Sequence, residues 1–72
     1  MFKFTSSAVE SISDMNGDQV TVTFNGGRDY TYRAAAPETF VTQLSEVIAT
    51  QQSVGGFINK AIRNDQLLNV AA

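Results

Sequence analysis

The chain has 72 residues, enough for one domain. It contains no Cys and no His, which excludes a disulfide framework, thiol chemistry and the imidazole base that acid–base enzymes use most often. Its formal net charge of −2 gives no overall field that would attract a nucleic-acid backbone, although a local basic patch is compatible with that charge.

The first predicted strand is irregular and runs from Ala8 to Asp14. Its large apolar residues, Val9 and Ile12, are three positions apart, so a regular strand would point them to opposite faces of a sheet. A two-residue turn at Asn16-Gly17 would leave Ile12 off the core. A β-bulge near Glu10-Ser11, with a longer turn, would bring both side chains to the same face, and we favour that arrangement.

The clearest strand runs from Gln19 to Phe24, where Val20 and Val22 alternate with polar residues. This alternation is typical of an antiparallel sheet that has one buried face and one exposed face. We therefore expect Val20, Val22 and Phe24 to face the core.

The next turn, Asn25-Gly26-Gly27-Arg28, leads to a third strand from Asp29 to Arg33. If Tyr30 and Tyr32 are to share the apolar face of Phe24, then Phe24 lies opposite Tyr30 and the loop contains three or five residues. Three-residue loops commonly place a glycine in the left-handed region, and Gly26 or Gly27 supplies it. Turn geometry therefore explains the two glycines without a phosphate-binding loop.

Two helices follow the predicted strands. The first runs from Pro37 to Ala49, because proline suits the first helical position and apolar residues recur on one face. Those residues are Phe40, Leu44, Val47 and Ile48. The second helix begins after Ser53, a typical N-cap residue, and ends near Asn64 or Asp65. Its apolar stripe consists of Phe57, Ala61 and Ile62.

The tail, residues 66–72, is unusually apolar for a chain end. It either docks on the core of its own domain or belongs to an interface, and we favour docking. The expected fold is α+β: a three-stranded antiparallel meander followed by two α-helices packed on one face, in one domain whose core unit spans about residues 6–65. The expected core consists of Val9, Ile12, Val20, Val22, Phe24, Tyr30, Tyr32, Phe40, Leu44, Val47, Ile48, Phe57, Ala61 and Ile62.

Several short motifs follow one another along the chain. They are Ser6-Ser7 before an apolar strand, Val22-x-Phe24-x-x-Gly27, Tyr30-x-Tyr32, a helix that starts with Pro37, Ser53-x-Gly55-x-Phe57 and Asn59-x-x-Ile62-Arg63. In this order and spacing the chain resembles the KTSC domain from about Ser6 to Arg63. That small module is named for its position at the C-terminus of some lysyl-tRNA synthetases, and it also occurs alone in bacteria and their phages.

The resemblance implies a small domain without an assigned activity, because the function of the KTSC family is not established. RNA binding has been suggested for the family, largely from its synthetase context. This chain departs from the family pattern in three places. Ala36 stands where a valine is common, Ile58 where an aromatic residue is common, and Gln66 or Leu67 where a tyrosine is common. If that tyrosine belongs to a site, the site is incomplete here.

Two groups of residues are candidates for ligand binding. Tyr30 and Tyr32 are able to stack on bases. We favour a role for both in the core, because the alternation of side chains along the strand puts them on the apolar face. Asn59 and Arg63 are four apart on the second helix and therefore neighbours. Together with Lys60, and with Arg33 from the third strand, they form a candidate site for a phosphate or carboxylate. The alternative, a solvated helix flank, is the interpretation we favour.

No pattern in the sequence indicates catalysis, a metal site or a cofactor. A nucleophile–base pair would need a serine beside a lysine, and nothing places Lys3 or Lys60 beside a serine. No apolar run approaches the ~18 residues of a membrane span, so we expect a cytoplasmic protein of a bacterial or phage-infected cell. We expect a non-enzymatic module that binds a protein partner or itself, without DNA or membrane partners. The alternative is a module that recognises RNA or a nucleotide.

Overall fold

The computed structural model describes residues 2–70. Four antiparallel strands in the order β1-β2-β3-β4 form one sheet, and two helices pack against one face of it. The elements are, in chain order, β1 (Val9–Ile12), β2 (Gln19–Phe24), β3 (Arg28–Ala34), α1 (Pro37–Ala49), α2 (Val54–Arg63) and β4 (Leu67–Asn69). The α+β class and the meander are confirmed, whereas the expected number of three strands is wrong because the tail supplies a fourth.

The predicted β-bulge is present in β1. The register of β1 against β2 shifts between Val9 and Ser11, which leaves Glu10 as the extra residue. Because of this extra residue, Val9 and Ile12 both point to the core, and both side chains are buried.

The turn after β1 is tighter than we expected. Asn16 and Gln19 exchange two backbone hydrogen bonds of 2.8 and 3.1 Å, so the loop consists of Gly17-Asp18 alone. Gly17 has a φ of 65°, and only the first of the two loop residues has a positive φ, which is the pattern of a type II′ turn. The longer turn is therefore wrong. The chain has one additional residue between Ile12 and Asn16, where three residues lie opposite two residues of β2.

The turn between β2 and β3 follows the predicted parity. Its loop has three residues, Asn25 to Gly27, and both of its glycines have a positive φ, 99° and 82°. Phe24 pairs with Arg28, and Tyr30 pairs with Val22. The predicted pair of Phe24 with Tyr30 is therefore wrong. The partner of Phe24 lies two residues before Tyr30, because the loop has three residues and not five.

Both helices have the predicted starts. Pro37 is the first residue of α1, and the Ser53 hydroxyl accepts a 3.0 Å hydrogen bond from the Gly56 N–H at the start of α2. Two positions after the last residue of each helix, the chain adopts the left-handed region, at Gln51 with a φ of 57° and at Asp65 with a φ of 58°. In each case the hydrogen-bond pattern is that of a Schellman motif, which usually uses glycine at this position.

Helix α2 packs closely on α1 and on the segment before β1. The rings of Phe40 and Phe57 stack with their centroids 5.7 Å apart. On the other flank, a Cβ atom added to Gly55 would lie 2.9 Å from the Cβ of Ala8, so the close approach requires glycine there. The hydroxyl of Ser6 accepts hydrogen bonds from the N–H groups of Ala8 and Val9, each 3.2 Å long, and fixes this segment.

The core differs from the expected set in how α2 is rotated. Val54, Ile58 and Ala61 face the sheet and are buried, whereas Phe57 and Ile62 lie on the flanks of this stripe and are half-buried. Of the other expected members, Phe24, Val47 and Ile48 are half-buried and Tyr30 is exposed. The buried core comprises Val9, Ile12, Val20, Val22, Tyr32, Ala34, Phe40, Leu44, Val54, Ile58, Ala61 and Leu67.

The tail docks on its own domain, as we favoured. Its first residues form β4, which pairs with β3 through Ala34 and Leu67, and the Leu67 side chain is 1% exposed. Ala71 and Ala72 of the predicted tail lie outside the described residues. Within residues 2–70, no helix combines the length and the apolar character that a bilayer crossing requires.

Candidate binding surfaces

The two tyrosines of β3 have different surroundings. Tyr32 is 6% exposed, and burial, followed by the neighbouring Tyr30, raises the pKa of its hydroxyl above the usual value. Tyr30 is 37% exposed and contacts Phe24 in an edge-to-face arrangement with the centroids 5.8 Å apart. The prediction that both belong to the core is therefore wrong for Tyr30, whose ring lies at the margin of the covered face.

The three predicted site residues of α2 point away from the core. Asn59, Lys60 and Arg63 are exposed, and successive residues of a helix are 100° apart, which puts all three on its outward half. Among the described residues, none of their side chains has a hydrogen bond or an ion pair. This is the geometry of a solvated flank, and it leaves the three polar groups accessible to a ligand.

Arg33 lies on the other side of the molecule. It alternates with Tyr32 along β3, so it points to the sheet face that the helices do not cover. Its Nε atom forms a 3.3 Å ion pair with Asp18, and both side chains are about half exposed. The structure therefore does not bring Arg33 together with Asn59, Lys60 and Arg63.

The second face of the sheet has hydroxyl groups in its middle. The hydroxyls of Thr21 and Thr31 are hydrogen-bonded at 3.1 Å, and the Ser13 hydroxyl accepts a 2.9 Å hydrogen bond from the Thr21 N–H. These side chains are half-buried, although no helix of residues 2–70 packs on this face. These hydrogen-bonded polar groups make the middle of this face hydrophilic.

The exposed large apolar side chains of residues 2–70 are Tyr30, Leu68 and Val70. Two of them, Leu68 and Val70, belong to the edge of the sheet that β4 forms, and we call these two residues the β4 border. Leu68 pairs with Arg33, and the Val70 N–H donates a 3.1 Å hydrogen bond to the carbonyl of Thr31. Leu68 and Val70 therefore lie on the uncovered face, whereas Tyr30 points to the covered face together with Tyr32.

The sequence indicated part of this border. The apolar character of the tail was visible, but which of its residues face outward depends on β4 pairing with β3, and a three-residue strand has too few positions to show a period. In the part of the chain that the structure describes, no group of acidic residues is arranged to hold a metal ion.

No family model, no curated protein and no solved structure matches this chain. The resemblance to the KTSC domain therefore stays a prediction.

Proposed function

We propose that this protein is a small, non-enzymatic binding module that engages a protein partner, or a second copy of itself, through the β4 border. The observation that carries the proposal is the exposure of Leu68 and Val70, which are 50% and 41% exposed, lie two residues apart and point to the same face of the sheet at its edge. Single exposed apolar residues are ordinary on a protein surface, but a cluster of them marks an interaction site more often.

Two further features support this border as an interface. The strand β4 is the last in the sheet order, and edge strands are common places for another chain to add. The net charge of −2 is small enough that repulsion between two copies is weak.

The test replaces the apolar groups without touching the core. Truncation after Asp65 would remove the buried Leu67, so its effect on binding could not be separated from unfolding. We expect Leu68→Ser with Val70→Ser to lower the concentration-dependent mass in sedimentation, or the recovery of a partner from native lysate. The double variant Leu68→Ile with Val70→Ile keeps both apolar surfaces and should behave like the parent protein.

The proposal fails on either of two results. One is a parent protein that stays monomeric at every concentration and captures no protein from lysate. The other is a serine double variant that is folded by circular dichroism and associates as strongly as the isoleucine double variant.

A second candidate function is recognition of RNA or a nucleotide by α2. It is favoured by Asn59, Lys60 and Arg63, which share the outward half of one helix and have no partner within residues 2–70. Two cations and an amide at this spacing suit a phosphate group next to a hydrogen-bonding base. The net negative charge of the chain weighs against this candidate.

Salt dependence and one matched pair of variants test the second candidate. Binding to a mixed panel of RNAs and nucleotides should weaken as salt rises, and Arg63→Ala should reduce the slope by roughly 0.7 for each phosphate that the arginine neutralises. Arg33→Ala removes the same charge from the opposite face and should leave binding unchanged. If the panel shows no binding at low salt, or if both variants weaken it equally, recognition by α2 is excluded.

A further inference from the structure

A groove of about 290 Å³ lies between α1 and α2. Its apolar lining comes from Val47 on α1 and from Phe57 and Ala61 on α2. The stacking of Phe57 on Phe40 holds that ring in place. The volume is at the lower end of small-molecule sites, which indicates a ligand the size of about two amino-acid residues.

The two walls of the groove carry opposite charges. Glu46 contributes a carboxylate from α1, and Lys60 contributes an ammonium group from α2. Within residues 2–70, neither side chain forms an ion pair, with the other or with any third residue. A simple anion would be attracted by Lys60 and repelled by Glu46, and a simple cation would meet the reverse. A ligand that carries one charge of each sign is complementary to both walls.

The polar rim of the groove is rich in carboxamides. A carboxamide offers both a donor and an acceptor, and a peptide bond offers the same two groups, so the two pair readily. One of them, Gln52, already donates to the Thr50 hydroxyl at 2.8 Å, which orients its side chain. The carboxamides that line the groove belong to Gln43, Gln52, Asn64 and Gln66.

We propose that this groove binds a zwitterionic peptide of about two residues. Its carboxylate lies at Lys60, its ammonium group lies at Glu46, its peptide bond pairs with the carboxamide rim and its apolar side chain packs on Phe57. The proposal does not depend on the β4 border, because the groove and the border have no residue in common.

Titration of the ¹⁵N-labelled protein with alanyl-phenylalanine, followed by amide chemical shifts, tests the proposal. Shifts should concentrate on the residues that line the groove. The N-acetylated, C-amidated form of the same dipeptide lacks both charges and should bind roughly fivefold more weakly or not at all. A capped peptide with a lysine and a glutamate side chain in place of the termini distinguishes a segment of a protein partner from a free dipeptide.

Charge reversal gives the sharper result, because the side chains concerned are exposed. Glu46→Lys and Lys60→Glu should each weaken the zwitterion roughly fivefold, and the double reversal should restore binding with the peptide turned round. Arg28→Ala removes a positive charge at the start of β3, from a residue that does not line the groove, and should bind like the parent protein. The proposal is overturned if the capped dipeptide binds as well as the zwitterion, if the double reversal binds no better than the single ones, or if no shifts appear at millimolar ligand.

Discussion

At the scale of single residues, neighbouring positions of the same type have different roles. Tyr30 and Tyr32 point to the same face of β3, but Tyr32 lies beneath the helices and Tyr30 lies at their margin. Alternation along a strand gives the face of a side chain, and it carries no information on how far a helix covers that face. For this reason the predicted direction is correct for both rings, whereas the predicted burial is correct for Tyr32 and wrong for Tyr30.

The hydroxyl of Tyr32 makes stability depend on pH in the alkaline range. Its pKa is raised above the usual value of about 10 by burial and by Tyr30, so the folded state holds this proton more tightly than the unfolded state. The stability that results is complete below about pH 10, and it is lost as the pH rises through the raised pKa. Urea midpoints measured from pH 9 upward should fall, and Tyr32→Phe should reduce that fall. An equal fall in parent and variant would contradict the assignment.

The left-handed residue after α1 is a second position where we expect one substitution to change the stability of the protein in a defined direction. Gln51 has a φ of 57°, which costs a residue with a Cβ roughly 1–2 kcal/mol. Glycine removes that cost, but it also raises the conformational entropy of the unfolded chain, which offsets part of the gain. We therefore expect Gln51→Gly to increase the free energy of unfolding by roughly 0.5 kcal/mol. Gln52→Gly is the control, because Gln52 is not left-handed and should lose stability. Urea denaturation with an unchanged slope would establish the difference, and identical effects of the two variants would contradict it.

At the scale of elements, β4 is the part that the sequence indicated least clearly. Its three residues follow the Schellman end of α2, and the backbone of Gln66 then accepts a 3.0 Å hydrogen bond from the Ala35 N–H. That contact starts the register with β3, and it joins residues that are distant in sequence. Local patterns predict helices, hairpins and caps well, as they did for α1, β2 and Ser53, but they do not select the partner of a distant strand.

Neighbouring leucines of β4 should differ widely in their contribution to stability. Leu67 is 1% exposed and Leu68 is 50% exposed. Leu67→Ala leaves a cavity in the core and should lower the free energy of unfolding by about 2–5 kcal/mol. Leu68→Ala shortens a side chain that faces solvent and should change it by less than about 0.5 kcal/mol. Thermal and urea unfolding of both variants measure this difference, and similar losses of stability would show that β4 is not docked as described.

At the scale of the whole molecule, the segment before β1 completes the core between the sheet and α2. Phe2 forms a β-bridge with Ile12, and the side-chain amide of Asn25 donates a hydrogen bond to the carbonyl of Ser7. Phe2 and Phe4 pack against the core and are half-buried. A domain of this size has a net stability of roughly 4–10 kcal/mol, so a contact such as Gly55 on Ala8 matters to the whole fold.

The close approach of α2 to this segment can be tested by moving one methyl group. Gly55→Ala would place its Cβ 2.9 Å from that of Ala8 and should cost about 1–3 kcal/mol. Adding Ala8→Gly removes the clash and should restore most of that stability. Gly56→Ala is the control at the exposed neighbouring position, where the atom nearest to the new Cβ is the Ser53 hydroxyl at 3.2 Å, and it should cost less. If Ala8→Gly fails to rescue Gly55→Ala, the destabilisation has another source.

The candidate sites depend on the whole molecule more than the strands and helices do. The sequence selected Arg33, Asn59, Lys60 and Arg63 by residue type, and only the last three share a surface. Whether a strand residue and a helix residue meet depends on which face of the sheet the helices cover, and that choice is made by packing across the entire chain.

The position of β4 has a consequence for the order of folding. The pairs β1-β2 and β2-β3 join neighbouring segments, whereas β3 meets β4 only after both helices have been placed between them. Closing such a long loop costs entropy before any stabilising contact forms, so we expect the meander to form early and β4 to dock late. A contact formed after the transition state affects the rate of unfolding and leaves the rate of folding nearly unchanged. The contacts of the Leu67 side chain therefore slow unfolding and lengthen the lifetime of the folded protein.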